Sequence, residues 1–283
     1  MRRLGALLGS ALVAIATLTA TAQAAPVGAL AVTTVKVDGK ESALDSTAVK
    51  DSVANCPAGM VALGGGFTTA VGSGQNGSVV IDEMIIRDHF VLVTAREDAN
   101  GTSGPWSVKA FAVCSNPLPG YEIKLGRSAN IGSEFEKPAV ATCSPGKVVV
   151  GGGFGVTGAQ GEVLVDELLP GTNQVFTKAF EGKAGTSKNW FLDAYAVCAF
   201  QPVGWEIVNK PGPIHSLSKS TSRTCPAGKK LLGPMFDLTD SLGQAHMMAM
   251  LPNSSQEVSL FAIEDDDGTS NSWGLNNWQV CAS

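Results

Sequence analysis

The sequence predicts an all-β protein made of three tandem antiparallel β repeats packed around a pseudo-threefold axis. Three observations lead there. CPAGMVALGGGF (Cys56 to Phe67) returns as CSPGKVVVGGGF (Cys143 to Phe154) and as CPAGKKLLGPMF (Cys225 to Phe236). In each copy a Gly-Thr-Ser turn begins five residues before a tryptophan (Trp106, Trp190, Trp273), which itself lies eight residues before a closing cysteine. The segments between these marks alternate with the period of two that belongs to strands, and none longer than about two turns carries a helical period.

In chain order, the N-terminus comes first. MRRLGALLGSALVAIATLTATAQA joins two arginines to a short apolar run and the small-residue pattern Ala22-Gln23-Ala24. It reads as a signal peptide over residues 1–24 rather than as an anchor. The remainder divides into β repeats at 25–117, 118–202 and 203–283. Removing the leader leaves 259 of the 283 residues, with 18 basic side chains (20 less Arg2 and Arg3) against 25 acidic ones. An acidic surface repels phosphate backbones, so a nucleic-acid partner is not expected. Nor is a membrane span, since no later stretch is apolar enough. The expected location is secreted and extracellular.

Within a repeat, KVVVGGGF, EVLVDELLP and NQVFTKAFE are β-branched or aromatic runs bounded by Gly, Pro and Asn, which are strand and turn signals. In WFLDAYAVC, Trp190, Leu192, Ala194, Ala196 and Cys198 fall on one face, with Asp193 and Tyr195 on the other. An extended piece precedes each opening motif: VTTVKV, GYEIKL and GWEIV. Four or five antiparallel strands per repeat follow. The connections SNPLP and AFQPV are too short and proline-rich for free linkers.

If the first and last long strands of a repeat pair antiparallel, its opening and closing cysteines come side by side. That pairs Cys56 with Cys114, Cys143 with Cys198, and Cys225 with Cys281. Three bridges in an exported chain suit an oxidising exterior, and each closes a loop whose entropy is worth roughly 4 kcal/mol.

CPAGK-x-x-x-GGGF followed by GTS-x-x-W and AYAVC, with PGYEI between copies, resembles a repeat of secreted actinobacterial proteins over nearly all of the mature chain. The resemblance implies export and a β repeat and carries no chemistry. In its three β units with CP-x-G openers, the chain is also similar to the vitelline membrane outer layer protein I family, which implies a three-sided, β-prism-like fold.

The triple glycine lacks the Lys-Ser/Thr and the following helix that a phosphate loop needs. It reads instead as a bulge or a close backbone approach. Asp82 and Asp166 recur at one strand position and are candidates for binding, or for acid catalysis if two copies bring their carboxylates together. Adjacent Asp82 and Glu83 cannot pair within a strand, because neighbours point to opposite faces. Glu264, Asp265 and Asp267 offer oxygen ligands of the kind calcium takes, without the spacing of an EF-hand. Trp106, Trp190 and Trp273 are either packed beside the disulfides or displayed as flat binding platforms for sugar. His89, His215 and His246 stand in unrelated contexts, and Ser216-Leu217-Ser218-Lys219 matches S-x-x-K only as a short string. No cofactor is implied.

The function expected from this pattern is that of a secreted, non-enzymatic binding or structural protein, contacting extracellular glycan, cell-wall polymer or a protein partner. The alternative is a carbohydrate-active hydrolase using the acidic residues.

Overall fold

A computed structural model of the chain describes residues 31–72, 77–265 and 268–283. The leader reading of residues 1–24 lies outside them. The described residues form strands and turns, with no helix among them.

The first unit supplies β1 (Thr34–Asp38), β2 (Val49–Asn55), β3 (Val61–Val71), β4 (Val79–Arg87), β5 (Phe90–Glu97) and β6 (Trp106–Ser115). The second supplies β7 (Glu122–Arg127), β8 (Glu136–Thr142), β9 (Lys147–Thr157), β10 (Val163–Pro170), β11 (Gln174–Glu181) and β12 (Phe191–Phe200). The third supplies β13 (Glu206–Lys210), β14 (Ile214–His215), β15 (Lys219–Thr224), β16 (Lys230–Asp237), β17 (Ala245–Pro252), β18 (Glu257–Glu264), β19 (Trp273–Gly274) and β20 (Asn276–Ala282). Each unit therefore has six principal strands, more than the four or five that its sequence suggests. The strand passed over is the one just before the opening cysteine: β2, β8 and β15. These alternate buried and exposed residues, as EKPAVAT does, but polar residues take inward positions (Lys50, Ser52, Lys137, Lys219 and Thr221), so the apolar alternation that marks a strand is missing. Pro138 fits in β8 because that strand lies at a sheet edge, where a missing N–H costs no ladder bond.

The strands form three six-stranded antiparallel sheets, ordered β1-β6-β3-β17-β18-β15, β2-β5-β4-β9-β12-β7 and β13-β20-β16-β10-β11-β8. Every sheet takes three strands from one unit and three from another. Each unit thus splits its strands between two faces of a three-sided prism. The two halves of a sheet meet over only two residue pairs: Phe67–Met250 and Thr68–Ala249, Phe154–Met84 and Gly155–Glu83, Phe236–Leu168 and Asp237–Glu167. At each seam one pair is buried, Phe67–Met250, Phe154–Met84 and Phe236–Leu168, while Thr68, Glu83, Glu167 and Asp237 stand nearer the surface. Phe67, Phe154 and Phe236 are buried there, with the last two edge-on at 6.1 Å between centroids.

Disulfides link Cys56–Cys114, Cys143–Cys198 and Cys225–Cys281, with Cα atoms 5.7, 5.7 and 5.9 Å apart. The first and last long strands of each unit do pair antiparallel, as β3–β6, β9–β12 and β16–β20. The connecting pieces also tie units together. The Tyr121 hydroxyl donates to Ala62 O at 3.0 Å, and the Trp205 indole donates to Val149 O at 2.8 Å. The third junction is tied by Val32 N, which donates to Ser283 O at 2.8 Å.

Candidate functional site

The triple glycines lie at the axis, one residue past a β-bulge that swings Leu63, Val150 and Leu232 into the core. A Cβ on Gly151 would stand 1.8 Å from the carbonyl oxygen of Leu63, in the neighbouring unit. No phosphate cradle exists here, because backbone already fills the space that a ligand would need.

The three tryptophans are fully buried. Their indole N–H groups donate to Glu97, Glu181 and Glu264 at 3.1, 3.2 and 3.4 Å. Over the rings stand the ammonium groups of Lys50, Lys137 and Lys219, at 4.8, 4.8 and 3.3 Å from the nearest ring centroid. Cation, ring and carboxylate form one sandwich per unit, an arrangement that a quadrupolar ring favours. The glutamate's other oxygen receives the Thr186 and Thr269 backbone N–H groups in the second and third units, which anchors the Gly-Thr-Ser turn. Burial leaves these indoles no open face for sugar, so they are core packing; each stands eight residues before its closing cysteine, at the other end of an extended stretch roughly 26 Å long, and not beside the disulfide. Lys50 and Lys137 carry no motif in the sequence and Lys219 only the S-x-x-K string, although each stands six residues before its opening cysteine and each glutamate nine before its tryptophan. Lys50 and Lys137 are also paired with Asp45 and Glu134. Lys219 donates to the His215 and Leu217 carbonyls and has no carboxylate in ion-pair contact among the described residues, and burial pushes its ammonium down to about 8.

Glu264 is thus committed to Trp273. Asp265 belongs to the turn that follows, its carbonyl receiving the Gly268 N–H at 3.0 Å, and Asp267 lies outside the described residues. Among the described residues no three His, Cys, Asp or Glu side chains are gathered to hold a metal ion.

Asp82 and Asp166 each sit on a β-bulge and are buried, while Glu83 and Glu167 face outward to Thr94 and Lys178. The two aspartates occupy different junctions and clamp different loops. Asp82 receives Arg96 Nε at 2.8 Å and reaches into the second unit, where the Gly161 N–H donates to it at 3.0 Å. Burial pushes its carboxyl up to about 6, against the pull of Arg96 and Gly161. Asp166 reaches into the third unit, where its Oδ2 receives the Ser241 hydroxyl at 2.7 Å and the Gly243 N–H at 3.4 Å. Its Oδ1 is buried with no hydrogen-bond partner among the described residues. Burial pushes this carboxyl up to about 8, and the charges of Glu167 and Asp237 add to the rise.

Two concavities stand out on the surface. A cleft of about 250 Å³ beside Asp166 is lined by Glu167, Lys178, Phe180, Asp237 and Asp240. A groove of about 440 Å³ on the flank of the β4–β9–β12–β7 sheet is lined by Arg87, Asp88, His89, Phe90, Leu125 and Tyr195. Leu125 is 56 % exposed, and the Arg87 guanidinium stands 5.7 Å from the Tyr195 ring centroid. Of the three histidines, His89 accompanies this groove with Nδ1 2.9 Å from Met60 O, His215 receives the Leu217 N–H at 3.2 Å, and His246 lies in the axial core. They do not converge.

No protein-family model matches the chain, and no curated protein matches it in sequence.

Proposed function

We propose that the chain is a secreted, non-enzymatic binding or structural protein that contacts an extracellular glycan, a cell-wall polymer or a protein partner. One observation carries this reading. The indoles and carboxylates that the sequence marks for chemistry are spent on holding the prism together: three indoles inside Lys–Trp–Glu sandwiches, and two aspartates clamping the next unit's loop. Three disulfides fit an oxidising exterior. No helix of the described residues is long and apolar enough to cross a membrane. The flank groove is the contact surface in this reading, since its volume lies within the range of small-ligand pockets and Arg87, Asp88, His89 and Leu125 are open to solvent around the buried Tyr195 ring.

A second reading has its own observation. A carboxyl that keeps its proton near neutrality, next to other carboxylates in a cleft, is the arrangement of a general acid, and Asp166 beside Asp237 has it. Against it, Asp166 Oδ1 is shielded from solvent. The two readings part in one experiment, binding of the chain to a panel of glycans and cell-wall polymers with turnover followed in the same samples. Retention that Arg87→Ala or Tyr195→Ala weakens, without product, supports the binding protein. Hydrolysis abolished by Asp166→Asn replaces it with the hydrolase.

A further inference from the structure

The three junctions between units are equivalent by position but not by chemistry. In the first, Asp82 on β4 is met by Arg96 on β5. In the third, the same two places hold Met248 and Ile263, both buried and apolar. In the second, Asp166 keeps the carboxylate while Phe180 stands where Arg96 would be. One junction is an ion pair and one is apolar. The middle one has a buried carboxyl without a cation beside it.

Lys178 feels the charge of Asp166, but among the described residues no cation makes an ion pair with Asp166. Lys178 on β11 is the cation lining the adjoining cleft, and it is held by Glu167 on β10 at 3.0 Å. Asp237 on β16 receives Asn276 and Thr239 at 2.8 and 2.9 Å, and Asp240 stands on the covering turn. Glu136 on β8 adds a further negative charge near Lys178. The cleft is acidic and apolar together, with Phe180 in its wall. Phe180 is buried against Phe135, and the Lys178 ammonium stands 5.5 Å from its ring centroid; a planar cation that displaces this ammonium stacks on the ring while pairing with a carboxylate.

We propose that this cleft binds an alkylguanidinium group, as carried by the arginine side chain of a partner, which takes beside Asp166 the place that Arg96 takes beside Asp82. The Ser241 hydroxyl, where the first junction has Ala159, holds Oδ2 in the meantime. Oδ1 is reached when the Asp240–Gly243 turn yields. That turn holds Asp240 and Leu242 at φ of 62° and 50°, a left-handed backbone that costs energy in residues other than glycine, so its release offsets part of the cost of opening. The site does not depend on the binding-protein reading of the flank groove, which lies on another sheet.

The test is an NMR titration of the disulfide-bonded chain with N-acetyl-arginine methylamide, with the uncharged citrulline analogue as comparison. Saturable shifts of the Ser241 and Gly243 amide signals are expected from the arginine compound alone. They should vanish in Asp166→Asn and in Phe180→Arg, which carries its own cation. Binding also requires Asp166 to give up its proton, so affinity in the unaltered chain should rise on the order of tenfold between about pH 6.5 and about pH 8.5. The proposal is overturned by an absence of saturable shifts, by equal shifts from citrulline, by an affinity indifferent to pH, or by variants that bind as well as the parent.

Discussion

A Cβ placed on Gly233 would stand 2.5 Å from the Cα of Gly151. The relation runs round the axis, since a Cβ on Gly64 would meet the Cα of Gly233 at 2.7 Å and one on Gly151 the Cα of Gly64 at 3.3 Å. Three backbones touch where the units meet, and only glycine lets them. Gly151→Ala should therefore cost about 3 kcal/mol or prevent folding, as overpacking against backbone does. Gly155→Ala, on the same strand with nothing closer than 3.6 Å to the new methyl, should stay within about 1 kcal/mol. Chemical denaturation of the two variants checks the contrast.

The buried sandwiches predict a cost for removing the indole N–H alone. Trp190→Phe keeps a ring beneath Lys137 but leaves Glu181, itself buried, without its 3.2 Å donor. A loss of about 2 kcal/mol is expected in urea unfolding. A surface tryptophan would lose almost nothing.

The first junction depends on one ion pair. Arg96→Met should cost about 3 kcal/mol at neutral pH, because it strands a buried carboxylate. The double variant with Asp82→Asn should recover part of that loss. A double variant no more stable than Arg96→Met would count against the pairing.

Stability should fall as pH rises through neutrality. In the fold Asp82 keeps its proton up to about 6 and Asp166 up to about 8, whereas both start from an ordinary value of 3.8. Between those values the folded chain binds more protons than the unfolded one, so their contribution is full in acid and is lost on the way up. Asp45, held down to about 2 by Lys50 and the Thr47 N–H, works the other way below about pH 4. Melting temperature measured against pH should peak on the acid side of neutrality, and Asp166→Asn should flatten the fall above about pH 6.

Much of this was legible in the chain. Regular spacing exposed the three units, and alternation with turn residues exposed most strands, because both depend on near neighbours. The sandwich lysines were equally regular, each six residues before its cysteine, yet a lysine in a polar strand reads as surface until its ring is seen beneath it. The same holds for Glu264, whose acidic neighbours suggested a metal while its own partner was Trp273.

The sequence by itself determined the number of units, the cysteine partners and the strand character, since a strand's period and a turn's geometry are set within a few residues. The tertiary structure alone decided that each unit splits its strands between two sheets and that Asp82 closes on Gly161, 79 residues away in another unit. It also decided that Asp166 faces Phe180 where its counterpart faces an arginine. Such meetings depend on which backbones approach across the axis, and strand alternation, which repeats alike in all three units, carries no information about that.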